Sequence, residues 1–165
     1  MQLMTMPGET WAYLTRQSGF SGKEINRAIQ QAFEQLTEKI ARAGIRTHGQ
    51  PRAHFRYRDG AQVGFDIGFP IDPGDEAAAR EAGLGAGETT AGEAMVHIHR
   101  GPYARLGETY HQMEQDIGRK GLKVGGDVWE VYLNDPDECS AQDLLTQIVW
   151  PVEQVRAPAF AGDRR

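Results

Sequence analysis

One carboxylate stands where a strand should be burying itself. In the stretch GGDVWEVYLNDP, Gly125–Pro136, residues Trp129, Val131 and Leu133 alternate with Glu130 and Tyr132, the two-residue period of a half-buried strand. Glu130 can there be a solvated side chain, a counter-ion for a bound cation, or an acid that does chemistry. Protonation separates the last two: an ionised Glu130 neutralises a cation, whereas a protonated one can donate as a general acid. Burial among rings raises a carboxyl pKa, and a nearby cation lowers it again.

Other residues are candidates for chemistry and are weaker ones. His97 and His99, in AMVHIHR, fall on one face of a strand. Two imidazoles fall short of a zinc ligand set, and His111 follows on a helix at unsuitable spacing, so no metal is expected. The single Cys139 excludes an internal disulfide and a multi-cysteine metal site. GGD and GLGAG lack the strand–loop–helix setting and the lysine of a phosphate loop, so both are expected to be turns. Asp66, in GFDIG, falls on the less apolar side of its strand and is a candidate second acid.

Composition narrows the classes. The chain has 165 residues, enough for one compact domain, and a formal net charge of -5 with Lys and Arg scattered along it. Nucleic acid is therefore not expected as a direct partner, because phosphate binding needs a basic face. No apolar run approaches the ~20 residues that span a bilayer, so no membrane partner is expected. The start, MQLMTMPGETW, has neither the charged nor the apolar region of a secretory leader. A cytoplasmic protein is the expectation.

The elements that position these residues come in two similar halves. PGETWAYL echoes AGEAMVHI, ARAGIRTHG echoes GRKGLKVGG, and DIGFPID echoes QIVWPVE. We place repeat one at about 3–72, a Gly/Ala/Glu-rich linker or frayed helical turn at 73–90, and repeat two at about 91–155, all within a single domain spanning 1–156. The remainder, 157–165, reads as a flexible tail. Each half is predicted to run strand, helix, strand, strand. In the first, a strand covers about 9–17. A helix opens on SGKE, with Ser21 as N-cap and Glu24 completing a capping box. Its stripe of Ile25, Ile29, Phe33, Leu36 and Ile40 ends at Gly44. Strands at about 52–58 and 62–69 are joined by RDGA, a hairpin signal. In the second half, strand 94–100 leads to Pro102 and a helical stripe of Leu106, Tyr110, Met113 and Ile117, closed by Gly121; strands at about 128–133 and 144–150 follow.

The fold class expected is α+β: duplicated β-α-β-β units forming one antiparallel sheet, with helices on one face and a groove near the pseudo-twofold axis. A barrel is the competing arrangement. One helix per unit covers one face, so the opposite face is expected to form the concave surface. If Ala12, Leu14, Val96, Ile98, Trp129 and Val131 face the helices, then Trp11, Tyr13, Met95, His97, His99, Glu130 and Tyr132 share the other face. Rings with a single acid suit a flat apolar cation, through stacking, cation–π attraction and charge complementarity. Tyr110 is expected in the core with its hydroxyl bonded, and Trp129 and Trp150 are expected in the core by parity.

The motifs resemble those of a known family. HIHRGPYARLGETYHQM, then GDVWEVYLNDP and QIVWPV, is similar to the GyrI-like superfamily, which includes effector-binding domains of AraC- and MerR-type multidrug regulators and stand-alone gyrase-inhibitory-type proteins. The run H-x-G-P-Y-x-x-L-x-x-x-Y is carried by His99, Gly101, Pro102, Tyr103, Leu106 and Tyr110. The likeness covers about 3–155. It implies the duplicated β-α-β-β fold and a groove in which Glu130, by motif position, faces cationic aromatic ligands; no cofactor is expected. Tyr103 joins the ligand-binding candidates through the same motif. The chain carries no helix-turn-helix. The function expected is binding of hydrophobic, cationic aromatic small molecules for drug or effector sensing or sequestration. The alternatives are a stand-alone hydrolase of cyclopropane-bearing electrophiles, with Glu130 as the catalytic candidate, and an interaction protein whose partner is a regulator or a topoisomerase.

Overall fold

The computed structural model describes residues 1–59 and 62–155. The first strand, β1 (Gln2–Met6), is followed by β2 (Thr10–Gly19), helix α1 (Gly22–Ala43), β3 (Arg52–Asp59) and β4 (Gln62–Pro70). Residues 73–90 then hold a short helix, α2 (Glu76–Glu81), and β5 (Gly85–Glu88). The second half supplies β6 (Gly92–Arg100), α3 (Leu106–Arg119), β7 (Leu122–Val124), β8 (Trp129–Tyr132) and β9 (Leu145–Gln154). The stretch expected as a linker or frayed helical turn thus carries the short helix α2 and also a strand, β5, and β1 and β7 were not expected. The RDGA turn includes positions 60–61, and the tail covers 157–165; these lie outside the described residues.

Local chemistry sets the helix ends as the sequence predicts. Ser21 accepts from the Glu24 amide at its side chain, and the Glu24 carboxylate accepts from the Ser21 amide. Gly44 closes α1 in the left-handed region at φ 66°, where a side chain would be strained. Ser21→Ala removes one reciprocal cap bond; we expect about 1 kcal/mol of lost stability in urea unfolding, with the fold unchanged.

All strand pairs are antiparallel, in the order β1-β6-β9-β8-β3-β4-β2-β5, with β7 added beside β9. Strands β6-β9-β8 and β3-β4-β2 therefore occupy like places on either side of a β8/β3 seam. Directly paired residues of antiparallel strands share a face. One row consequently crosses the sheet: Leu14, Ile67, Ala53, Glu130, Ile148 and His97. Leu14 and Ile67 pack with Ala32, Leu36 and Ile40 of α1, and Ile148 packs with Leu106, Met113 and Ile117 of α3. Both helices thus cover the face that bears Glu130.

The helix-free face is covered by the sheet itself. Strands β1 and β2 lie toward opposite ends of the strand order, yet only Pro7–Glu9 joins them, and only Thr89–Ala91 joins β5 to β6. Four residue steps reach at most ~14 Å, so the ends must come together and the sheet must curl. The two connections run side by side: the Thr89 amide donates to Glu9 O at 2.8 Å, and the Glu9 amide donates to Thr89 Oγ1 at 2.9 Å. Inside the curl, Trp11, Ala94, Val96, Trp129 and Val149 form a core with Met6 and Tyr13 against it. Trp11 is 3% exposed and Trp129 is 5% exposed. Their rings lie 4.9 Å apart, and the Trp11 and Tyr13 rings stack at 4.7 Å. A Cβ on Gly68 would stand 2.8 Å from the Trp11 ring and 2.1 Å from the Ala12 carbonyl, so only glycine fits beneath that indole.

Candidate functional site: a groove between two helices

With one face folded around aromatic packing, the open concavity lies on the other. A groove of about 2010 Å³ runs between α1 and α3 above the β3/β8 seam. That volume exceeds the ~300–1,000 Å³ common for sites that enclose one drug-sized ligand. Its α3 side is lined by Tyr103, Tyr110, Val128, Glu130, Tyr132 and Trp150, and its α1 side by Ile25, Ile29, Phe33, Phe55 and Phe69. Among the described residues, the lysine and arginine of the lining, Lys23 and Arg27, stand on α1 and form no ion pair with Glu130.

Glu130 is 6% exposed and held by two phenols. Tyr110 donates to Oε2, and Tyr132 donates to Oε1 at 3.0 Å. Burial pushes the Glu130 carboxyl up, and the two hydroxyl bonds offset only part of that, leaving it above the usual carboxylate range. Burial also raises Tyr132 well above the ordinary phenol value and pushes Tyr103 up to about 12, each helped by the neighbouring Glu130. Tyr132 therefore stays protonated and a donor at any physiological pH. The Tyr103 ring meets Tyr132 edge-on at 5.9 Å, and Tyr110 meets Trp150 edge-on at 5.5 Å. The result is a carboxylate framed by rings and reached from the groove, an arrangement that can stabilise a positive charge.

The structure sorts the sequence candidates by place. Glu130, Tyr132 and Tyr103 meet in the groove. Trp11 and Tyr13 do not: they face the opposite side, in the curled core. Met95 is wholly buried under α3, beside Met113 and Ile148. His97 and His99 line a separate cavity of about 280 Å³ at the start of α3. His99 Nδ1 lies 2.7 Å from Thr109 Oγ1 and Nε2 lies 3.2 Å from Pro102 O; a carbonyl only accepts, so Nε2 carries a proton. The expectation that the groove lies on the helix-free face is thus corrected. Val96, Ile98, Trp129 and Val131 turn away from α3, and Met95, His97, His99, Glu130 and Tyr132 turn toward it. Asp66 also faces the curled side, where Arg56 binds it at 2.6 and 2.7 Å and the Thr15 hydroxyl donates at 2.6 Å. Burial alone would raise Asp66, but the facing His54, Arg56 and Thr15 outweigh it and hold the carboxyl low.

Sequence reasoning missed Tyr110, Trp150 and the α1 wall as groove residues. Tyr110 carried a signal in its place on the helical stripe, which demanded a partner for a hydroxyl. Among the described residues, no group of three or more His, Cys, Asp or Glu could hold a metal ion, and no helix is long and apolar enough to cross a membrane.

A curled antiparallel sheet with two helices flanking a carboxylate-bearing groove is the architecture of a small-molecule-binding domain. The chain belongs to the family of GyrI-like small molecule binding domains, which it matches over residues 1–153. No curated protein matches it in sequence. The EcmrR C-terminal domain is similar in fold, with a TM-score of 0.79 at 15% identity over 93% of this chain and 97% of that one. A hydrolase from Listeria innocua gives 0.66 at 17% identity, over 92% and 91%. SAV2435 bound to tetraphenylphosphonium gives 0.62 at 14% identity, over 92% and 93%.

Proposed function

We propose that this domain binds hydrophobic aromatic cations in the groove between α1 and α3, with Glu130 as the counter-ion, and so senses or sequesters such compounds in the cytoplasm. The carrying observation is Glu130 itself, buried, bonded by two phenols and facing a groove lined on its side by Tyr103, Tyr110, Tyr132 and Trp150. The fold shared with SAV2435, whose structure holds tetraphenylphosphonium, supports the same ligand chemistry. Tyr132, Tyr103, Tyr110 and Trp150 serve as walls in this reading, and Trp11, Tyr13, Met95, His97 and His99 as framework. The two β-α-β-β units that meet at the seam are, on this reading, copies of one ancestral unit.

Proton linkage tests the charge assignment. The Glu130 carboxyl lies above the ordinary range, so the apo protein keeps its proton as pH rises past the pKa of a free glutamate. A permanent cation favours the ionised form and must expel that proton. Titration with tetraphenylphosphonium in two buffers of different ionisation enthalpy should therefore show proton release on binding below the apo pKa of Glu130. Affinity should fall by up to about tenfold per pH unit as pH drops through that pKa. Binding that is independent of pH from 4 to 8, with no proton exchanged, rejects Glu130 as the counter-ion.

One observation favours a second reading. A buried acid with a raised pKa beside two hydroxyls can act as a proton donor, and a hydrolase from Listeria innocua shares the fold. Hydrolysis of a strained electrophile would give a product heavier by one water. Glu130→Gln would then lose rate while keeping affinity, the reverse of what a counter-ion predicts.

A further inference from the structure

The two walls of the groove differ in kind. Across the β8/β3 seam, Glu130 is paired with Ala53, so the carboxylate has an alanine methyl as its counterpart. The wall on the α1 side carries a half-buried apolar strip, Ile25, Ile29, Phe33, Phe55 and Phe69, bordered by the polar α1 residues Lys23, Asn26, Arg27, Gln30 and Glu34. Phe33 and Phe69 meet at 5.7 Å and expose their remaining surface to the groove. From β8 across β3 to β4, which carries Phe69, is two strand spacings, ~10 Å. The charge is also uneven: Asp127, Asp135, Asp137 and Glu138 stand at the α3 end, with Glu114 on α3, whereas α1 carries the basic Lys23 and Arg27 beside a single acid, Glu34.

A compact cation held at Glu130 would fill the tyrosine end of a groove of about 2010 Å³ and leave the phenylalanine wall wet. The geometry points to an elongated amphiphilic cation: a quaternary head at Glu130 and an aliphatic or aryl tail of about eight to ten carbons lying over Ile29, Phe33 and Phe69. This assignment rests on the cation-binding reading above and specifies its ligand class. Other occupants of the apolar wall are a second copy of the chain or its own residues 156–165, and the experiment includes both.

The test is isothermal titration of n-alkyltrimethylammonium ions with tails of four to twelve carbons, below their micelle concentrations, with tetramethylammonium and n-octanol as references. Wild-type affinity should rise about three- to fourfold per added methylene up to eight to ten carbons and then level off. Phe33→Ala and, as a milder variant, Ile29→Ala should flatten that slope while tetraphenylphosphonium still binds; circular dichroism checks that each variant is folded. Glu130→Gln should keep the slope and lose the preference for the ammonium over octanol. Affinity that does not depend on tail length, while tetraphenylphosphonium binds, overturns the elongated ligand and leaves the cation reading standing. Failure of every cation, tetraphenylphosphonium included, removes both. A slope that appears only after truncation at residue 155, or a wild-type dimer in sedimentation that Phe33→Ala splits, assigns the wall to the tail or to a second copy and overturns the proposal.

Discussion

Glu130→Gln is expected to lower affinity for tetraphenylphosphonium by on the order of 30-fold or more and to leave affinity for the neutral triphenylphosphine oxide unchanged. Removing one partner of a buried charge pair costs about 2–5 kcal/mol, which sets that scale. Glutamine keeps the size of the side chain and can still accept a phenol hydrogen bond, so the fold should survive. The same substitution has an opposite effect on the free protein. A carboxyl whose pKa is raised by folding holds more protons in the native state than in the unfolded chain. Its contribution is fully present below the unfolded glutamate pKa and is lost as pH rises through the folded value. Wild-type stability should therefore carry a declining component over that window, and Glu130→Gln should lack it. Melting curves at several pH values read this directly. A variant that binds the cation as well as wild type, or that is less stable than wild type above the window, contradicts the assignment.

Trp11→Ala is expected to cost about 3–5 kcal/mol of stability and to change cation affinity by less than about twofold when measured on folded protein. The indole is 3% exposed, stacked on Tyr13 and set against Trp129 inside the curl, on the far side of the sheet from Glu130. Truncation there leaves a cavity that Gly68 and Ala94 cannot fill. Urea unfolding gives the stability, and fluorescence of the remaining tryptophans follows the ligand. A stable Trp11→Ala variant that has lost its ligand would put the binding surface on the curled face instead.

These two residues mark where sequence was legible and where it was not. Helix positions, the capping box at Ser21 and the glycine stops follow from chemistry within a few residues, and the structure has them in place. The elements of each half, the antiparallel sheet and helices gathered on one face were legible as well. Strand alternation told correctly that Glu130 and Tyr132 share a side, as do Met95, His97 and His99. It could not tell which side lies under a helix, because that depends on register between strands far apart in sequence. In β6 both faces carry apolar residues, Met95 packing under α3 and Ala94 and Val96 lining the curl, while in β8 the apolar Trp129 lines the curl and the α3 side carries Glu130. Choosing Val96 and Ile98 as the helix-facing pair followed hydrophobicity. The structure instead puts Met95 there and leaves Ile98 half exposed at 49%. Curling itself was invisible, because it depends on two short connections having to cross between distant ends of one sheet.

Those connections also set an order of events during synthesis. Strand β1 is made first, but its only partner among the described strands is β6, whose pairing residues begin at Gly92. At ~5–20 residues per second, β1 emerges from the ribosome several seconds before β6 exists. In that interval Gln2–Met6 is an uncharged segment with no proline, the kind of strand that pairs readily with other chains. The first half can meanwhile assemble, since α1, β2, β3 and β4 contact one another without it. Closing the curl needs β6 beside β1 and, to join β6 to the first half, β9 and β8, so it cannot precede synthesis of the second half. Yield in the cell should accordingly depend on how fast the second half is delivered.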